Sequence, residues 1–253
     1  MGDVIDLALI GIGTGDPEQM TRQAMRELGE ARLILIPLKG AEKAELAELR
    51  QRICAEFVTD PTAEVVTFDV PERAASADYL GDVNDWHDAI AEAWIAALRA
   101  HPPAGGRAAL LIWGDPSLYD SSLRIAERVG RVLPLTLRVI PGITAIQALC
   151  AAHAIPLTEL GAPAVITTGR RLRDEGWPAE AETLVVMLDG GSAFATLPSD
   201  GLTIWWGAYL GMTAQLLESG PLAEAGPRIV AARAAGRAAH GWIMDIYLLR
   251  RAG

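Results

Sequence analysis

The sequence predicts an α/β protein of two α/β domains: an N-terminal parallel sheet of about five strands and a C-terminal mixed sheet. Three observations carry that prediction. Five apolar runs of strand length alternate with five stretches of helical periodicity between residue 4 and about residue 155. That rhythm builds a parallel sheet covered by helices on both faces. After Pro156 the apolar runs lie closer together and helical periodicity fades, which suits mixed pairing. A length of 253 residues with 51% hydrophobic content allows two cores of ordinary size.

The first strand is "VIDLALIGIG", apolar and nearly continuous. A helix follows over "DPEQMTRQAMRELGEA". Pro17 suits its first turn, Glu18 its positive dipole end, and Gly29 its close. "RLILIPL" is the second strand and "GAEKAELAELRQRICAEF" a long amphipathic helix. "AEVVTFDV" is the third strand. "YLGDVNDWHDAIAEAWIAALRAH" is a helix stopped by Pro102-Pro103. "RAALLIWG" is the fourth strand, with helix over "SLYDSSLRIAERV". "LTLRVI" is the fifth, with helix over "PGITAIQALCAAHAI". In the second domain "PAVITTGR", "ETLVVMLDGG", "LTIWWGAYLG" and "HGWIMDIYLLRR" read as strands. Helical signal is confined to "GSAFATL" and "TAQLLESG". The expected boundary lies between Cys150 and Pro163, giving domains 1–150 and 151–253.

Charge and composition narrow the function classes. Residues 1–162 carry 14 Lys and Arg against 23 Asp and Glu; the remainder carries 8 against 9. The acidity is therefore N-terminal, and a nucleic-acid partner, which needs a basic surface, is disfavoured. No apolar run approaches the roughly 20 residues of a membrane span. The first residues hold Asp3 and Asp6 and no basic segment of a signal peptide. Cys54 and Cys150 are expected as buried free thiols. A soluble cytoplasmic protein is the expectation.

Three loops follow three strands: 11–16, 114–119 and 141–145. Ligands of open parallel sheets collect at this edge. The tripeptide Gly-Asp-Pro occurs in two of them, at Gly15-Asp16-Pro17 and Gly114-Asp115-Pro116. As a dinucleotide fingerprint the first loop fails. Its third glycine comes one residue early, and Asp16 stands where a pyrophosphate would meet the helix. No G-x-x-x-x-G-K-[ST] and no G-x-S-x-G is present. Asp16 and Asp115 could each be a helix N-cap, but two copies on one edge together with a third small-residue loop are better explained by a shared ligand. His87, His101, His153 and His240 show no metal-ligand spacing, so no metal is expected. His87 and His101 read as surface helix residues, and Trp205-Trp206 as strand core.

Together the loops resemble the tetrapyrrole methylase family, S-adenosylmethionine-dependent methyltransferases acting on uroporphyrinogen and the precorrins. A first motif G-x-G-x-G-D-P-x-x-x-T is met by Gly11 to Pro17 and Thr21. A strand ending in G-D-P and followed by an aromatic is met by Trp113 to Tyr119. P-G-x-[ST]-[SA] is met by Pro141-Gly142-Ile143-Thr144-Ala145, with Ile155-Pro156-Leu157 shortly after, and a fourth strand by Thr183 to Leu188. The resemblance covers essentially the whole chain. Thr14 stands where the family usually has Pro, and the family's closing Val-Val-Gly stretch is absent. "WGDPSLYDSSLRI", "ITTGRRL" and "HGWIMDIYLLRR" are similar to a specialised branch that couples C-methylation of a precorrin to release of an acetyl group.

The resemblance implies S-adenosylmethionine as cofactor, leaving as S-adenosylhomocysteine, in a cleft between the two domains. It implies an anionic precorrin as substrate and a homodimer as assembly. Carried over by motif, Gly13, Thr14 and Gly15 would line one wall. Trp113, Gly114, Asp115 and Leu118 would lie along the amino-acid portion, with Thr144 and Ala145 adding a hydroxyl and backbone groups. Leu188 stands where relatives often have Met, and Gly207 to Gly211 would meet the adenine. Asp16 and Asp115 would suit a sulfonium cation. Deacylation needs a base and an oxyanion partner, for which Asp16, Tyr119, Asp120 and His240 are candidates in no order. Substrate carboxylates call for arginines: Arg170, Arg171 and Arg173 first, then Arg22, Lys39 and Arg124. Competing readings are an rRNA or diphthamide methylase of the same fold, and a non-catalytic nucleotide sensor.

Overall fold

The computed structural model describes residues 4–38, 44–74, 76 and 78–251. The chain divides into two compact units, Met1–Ile143 and Thr144–Gly253. Lys39 and the beginning of the helix expected from residue 40 lie outside the described residues.

The first unit contains β1 (Ile5–Gly11), α1 (Arg22–Gly29), β2 (Leu33–Leu38), α2 (Ala44–Phe57), β3 (Glu64–Asp69), α3 (Tyr79–Ala100), β4 (Arg107–Ile112), α4 (Ser122–Gly130) and β5 (Leu135–Ile140). Its five strands are all parallel, in the order β3-β2-β4-β1-β5. Alternate residues of the strands serve opposite faces. Ala8, Ile10, Ile34, Ile36 and Leu111 pack on Ala24 and Leu28 of α1 and on Leu49 and Ile53 of α2. Leu7, Leu9, Leu33, Leu35 and Leu110 pack on Trp94 and Leu98 of α3 and on Ile125 and Val129 of α4. Each fully buried leucine or isoleucine among these contributes about 1.5–3 kcal/mol.

This layering decides where a ligand can sit. β1 and β2 hand the chain to helices on one face, β4 to a helix on the other. The neighbours β2 and β4 therefore part at their carboxyl ends, the arrangement that opens a binding crevice, whereas β1 and β4 stay paired through Gly11–Ile112. The ladder between β2 and β4 runs only from Leu33–Ala108 to Leu35–Leu110.

The helix expected over residues 16–31 is broken. A single 3-10 turn, Pro17–Gln19, precedes α1, because Thr21 is extended and caps α1 by accepting the Ala24 N–H at 3.0 Å. Likewise α4 starts at Ser122 rather than near Ser117.

The second unit contains α5 (Ala145–His153), β6 (Ala164–Thr168), α6 (Gly169–Glu175), β7 (Thr183–Met187), β8 (Leu202–Ala208), β9 (Leu216–Pro221), α7 (Leu222–His240) and β10 (Asp245–Arg251). Its sheet has the order β6-β7-β10-β8-β9. β6 and β7 are parallel and the other pairs antiparallel, the expected mixed sheet. The helical expectations fail in three places. "TAQLLESG" is mostly strand β9: Leu216, Glu218 and Gly220 turn inward and their neighbours outward. The 19-residue α7 was not anticipated, since it buries mainly small residues (Ala225, Gly226, Gly236) and contains Pro227. Such a face has no hydropathic signature. "GSAFATL" contributes only the 3-10 turn Ala193–Thr196.

Trp206 is fully buried, Cys54 buried and Cys150 half-buried, both thiols free. Among the described residues no helix is long and apolar enough to cross a membrane.

His87 is not a surface residue. It lies on the stripe of α3 that also buries Ile90, Ala91, Trp94 and Leu98, is only 4% exposed, and neither ring nitrogen has a hydrogen-bond partner. Burial, then the charges of Arg128 and Arg124, push its pKa below the ordinary 6.5, and Asp88 and Asp120 oppose this more weakly. The folded protein therefore keeps His87 neutral while the unfolded chain gains a proton below about pH 6.5. The stability this group contributes is fully present above that pH and declines as pH falls. His87→Leu is expected to flatten the melting temperature between pH 7 and 5.5 relative to wild type. It should also add about 1 kcal/mol at pH 7 by removing unpaired nitrogens. Parallel pH curves for the two proteins would contradict this.

Candidate active site

The loops leaving β1, β4 and β5 meet backbone to backbone. Gly114 N–H donates to the Gly13 carbonyl at 2.7 Å and Gly13 N–H to the Gly114 carbonyl at 3.4 Å, an isolated bridge between two loops. A Cβ on Gly142 would lie 2.8 Å from the Gly11 carbonyl carbon and closer still to the Gly114 carbonyl oxygen. A Cβ on Gly11 would lie 2.6 Å from the Gly142 nitrogen. Only glycine fits at 11 and 142, because the obstacles are main-chain atoms that cannot step aside.

Asp115 ties the arrangement. One carboxylate oxygen accepts the Gly142 N–H at 2.9 Å; the other accepts the Ser117 N–H at 2.8 Å and the Ser117 hydroxyl. Burial works against its charge, yet the bonds from Ser117 and Gly142 prevail and hold its pKa below the usual carboxylate value. Asp16, its counterpart in the first loop, does something different. One oxygen accepts the Glu18 N–H at 3.0 Å as cap of the 3-10 turn. The other has no hydrogen-bond partner among the described residues. Thr14 is buried and donates its hydroxyl to Gln19 at 3.2 Å.

Beyond Asp115 a turn closes through Leu118 N–H to the Asp115 carbonyl at 3.2 Å. Tyr119 follows with φ 50° and an exposed ring. A left-handed tyrosine costs on the order of 1–3 kcal/mol and so marks a constrained position. Asp120 then accepts the Ser122 N–H at 2.7 Å and starts α4. Gly13, Gly15, Thr14, Asp16, Trp113, Gly114, Asp115 and Leu118 thus share the carboxyl edge of the first sheet. Arg22 is exposed at the first position of α1.

In the second unit β6, β7 and β8 point the same way, so their carboxyl ends share an edge. Leu188, just past β7, has φ 54° and is 64% exposed. The next residue, Asp189, is 5% exposed, and its carboxylate accepts from Gly191 N–H (2.9 Å), Ala193 N–H (2.6 Å) and the Tyr247 hydroxyl (2.7 Å). These bonds hold the strained turn. Arg173 lies 3.6 Å from Asp189, Arg171 pairs with Glu175 at 2.8 Å, and Arg170 is exposed beside them. Tyr209, just past β8, has φ 50°, donates its hydroxyl to the Trp242 carbonyl and lies 5.0 Å from the His240 ring. A Cβ on Gly207 would press on the side-chain ends of Leu210 and Leu149, which would have to shift, and Gly211 N–H donates to Gln215 at 2.9 Å. Thr144 spends its hydroxyl on the capping box of α5, of which Ala145 is the first residue.

Sequence reasoning missed Asp189 and Arg50, and it gave Tyr209 no role of its own within the stretch Gly207 to Gly211. Arg50 interrupts the apolar stripe of α2 formed by Ala47, Ile53 and Cys54, which is a readable signal. The left-handed backbones of Leu188 and Tyr209 left none, because neither residue type announces such a conformation. Among the described residues no cluster of His, Cys, Asp and Glu could hold a metal ion.

The sequence profile of the tetrapyrrole (corrin/porphyrin) methylases matches residues 6–226. A precorrin-6A synthase [deacetylating] from Sinorhizobium sp is 50% identical over 249 residues, covering 97% of this chain and 95% of the relative. The crystal structure of a cobalamin synthesis related protein (CobF) from Corynebacterium diphtheriae superimposes with a TM-score of 0.85 at 37% identity, covering 99% of this chain and 100% of that one. A uroporphyrin-III C-methyltransferase from Thermus thermophilus, solved with S-adenosyl homocysteine, shares the fold with a TM-score of 0.61 at 20% identity, covering 97% of each chain.

Two outcomes follow from the loop junction. Gly142→Ala should cost about 3 kcal/mol or more in urea unfolding, because main-chain atoms must move. Gly13→Ala, where a Cβ meets nothing nearer than 3.4 Å but φ is 76°, should cost only about 1–2 kcal/mol. Equal costs would contradict the junction. Asp115→Asn must turn an amide donor toward one of its N–H donors and should cost about 1–3 kcal/mol. Its loss should shrink as pH falls below the ordinary carboxylate value of 3.8, where wild-type Asp115 gains a proton too.

Proposed function

The chain belongs to the tetrapyrrole (corrin/porphyrin) methylase family, and from that footing we propose that it methylates precorrin-5 at C-1, using S-adenosylmethionine, and releases acetate to give precorrin-6A. The observation that carries this is the 50% identity, over nearly the whole of both chains, to a deacetylating precorrin-6A synthase.

The residues present suit an S-adenosyl ligand. Glycine-built loops offer backbone groups at close range, and Asp16 stands where a pyrophosphate would be repelled and a sulfonium favoured. S-adenosylmethionine supplies a methyl group on a cationic sulfur, transferred by direct displacement. The chain's work is then alignment, which can supply much of the acceleration. In the first unit Gly13, Thr14, Gly15, Trp113, Gly114 and Leu118 are the proposed contacts. In the second they are Thr144, Ala145, Leu188, Gly207 and Gly211. Asp115 acts on the ligand indirectly, since both its oxygens are committed to protein donors.

Release of acetate requires water to add to the extruded acetyl carbonyl, after which the carbon–carbon bond to the ring breaks with its electron pair left on the ring carbon C-1, the carbon that carries the methyl group in the product. Asp16 is the proposed proton acceptor for that water, having one carboxylate oxygen unspent. The exposed Tyr119 phenol is the proposed donor to the acetyl oxygen. Asp120 and His240 are the next candidates. Arg170, Arg171, Arg173 and Arg22 are the proposed contacts of substrate carboxylates. A carboxylate on Arg171 would compete with Glu175, an exposed pair of small worth.

Incubation with S-adenosylmethionine and precorrin-5 should yield a product one methyl heavier and one acetyl lighter, with free acetate in equal amount. Methylation without acetate would contradict the deacylating assignment. Asp16→Asn should slow turnover by about 10²-fold or more while S-adenosylhomocysteine affinity stays within about twofold; unchanged turnover would remove Asp16 from its role.

A further inference from the structure

We propose that Arg50 receives a carboxylate of the bound small molecule at the crevice between the carboxyl ends of β2 and β4. The inference rests on the methyltransferase reading above and adds a residue to it. Arg50 is carried on α2 and reaches the strand ends from that face. Its Nε donates to the Leu111 carbonyl at 3.1 Å and its Nη1 to the Leu46 carbonyl at 3.0 Å. Leu111 is the first β4 residue past the point where the ladder to β2 stops. The guanidinium thus occupies the gap where the two strands part, the place in an open parallel sheet where ligands bind. Trp113 lies beside it, 5.9 Å from ring centroid to guanidinium carbon.

Among the described residues no carboxylate in contact balances the charge of Arg50. The residue is 8% exposed, yet it forms no ion pair with any described residue. Its buried or half-buried counterparts all do: Arg233 with Asp245 at 2.6 Å, Arg250 with Glu159 at 2.6 Å, and Arg138 with Asp6 at 2.7 Å. Two neutral carbonyls satisfy Nε–H and one Nη1–H but do not cancel a cation. Asp120 is the carboxylate whose field reaches it, without contact. Burial draws the pKa down to about 10, so the group is still cationic at neutral pH. An unpaired buried cation is costly to keep, and an apolar side chain would complete the α2 stripe. Retaining one there makes sense if an anion arrives. Nη2 has no hydrogen-bond partner among the described residues, and the Nη1–Nη2 end of the fork suits a planar carboxylate.

The carboxylate has two sources, the amino-acid end of the cofactor and the acidic side chains of the tetrapyrrole, and three probes separate them. S-adenosylhomocysteine carries the cofactor carboxylate; 5′-methylthioadenosine lacks it; precorrin-5 carries its own. Arg50→Met is expected to weaken one arm by about tenfold or more. If the cofactor is the source, the Kd for S-adenosylhomocysteine rises and that for 5′-methylthioadenosine does not. If the tetrapyrrole is the source, the KM for precorrin-5 rises while the Kd for S-adenosylhomocysteine holds within twofold. Should Arg50→Met fail to fold, Arg50→Lys keeps the charge without the fork and is expected to show the same ligand-specific loss in smaller measure. Wild-type behaviour in all three arms would overturn the proposal. So would an equal loss in all three together with a lower melting temperature, which would make Arg50 a residue that only holds the fold. A wild-type protein that binds neither S-adenosylhomocysteine nor precorrin-5 would overturn the methyltransferase reading, and this inference with it.

Discussion

The close approach of three main chains at Gly11, Gly114 and Gly142 is the constraint from which the first unit's functional edge follows. Two loops share a backbone bridge, and a third is pulled against them by one carboxylate. Main-chain atoms in contact have no rotamers to lose, so ligand contacts made by such loops need little ordering on binding. This places the demand for glycine where main chains meet, at Gly11 and Gly142. It also separates the two Gly-Asp-Pro tripeptides. The carboxylate in one is a cap with an oxygen to spare; in the other it is a tie with none.

The second unit reaches a comparable end by another route. Where the first uses glycine to bring chains close, the second holds Leu188 and Tyr209 in left-handed conformations at the ends of two aligned strands. Such conformations persist only if the surroundings over-determine them. For Leu188 that is the buried Asp189, fixed by two amides and the Tyr247 hydroxyl. Burial first, and then the negative charge of Asp189, push the Tyr247 phenol far above its ordinary pKa, so it stays a donor. For Tyr209 it is the Met244 and Trp242 carbonyls and a glycine, Gly236, that makes space for the ring.

Much of this was legible in the sequence. The five β-α repeats, the mixed second sheet and the three glycine loops all leave hydropathic or compositional marks, because burial on both faces demands apolar runs and tight turns demand glycine. The family followed from the spacing of the loop motifs. What was not legible lacks such marks. α7 buries Ala225, Gly226 and Gly236 beside only two large residues, Leu222 and Ile229, so its inner face differs little in hydropathy from its outer one. The left-handed turns are imposed by tertiary hydrogen bonds that no local pattern encodes. His87 and Arg50 are intermediate cases: each polar residue sits on an apolar helical stripe, and periodicity applied strictly would have buried both. The resemblance assigns Asp115 to the cofactor and Asp16 to catalysis, but that one carboxylate is a tie and the other a cap with an oxygen to spare depends on what lies opposite each, which identical tripeptides do not encode.

The central claim is that the three loops form one preassembled platform for an S-adenosyl ligand. Amide hydrogen exchange followed by NMR tests it at single residues. The amides of Gly13, Gly114 and Gly142 should already be protected in the free protein, since each donates to a partner across the junction. Adding S-adenosylhomocysteine should slow exchange further at these loops and leave the far ends of the strands unchanged. Free exchange at all three glycines before ligand, or no change at the loops at saturating ligand, would contradict the account.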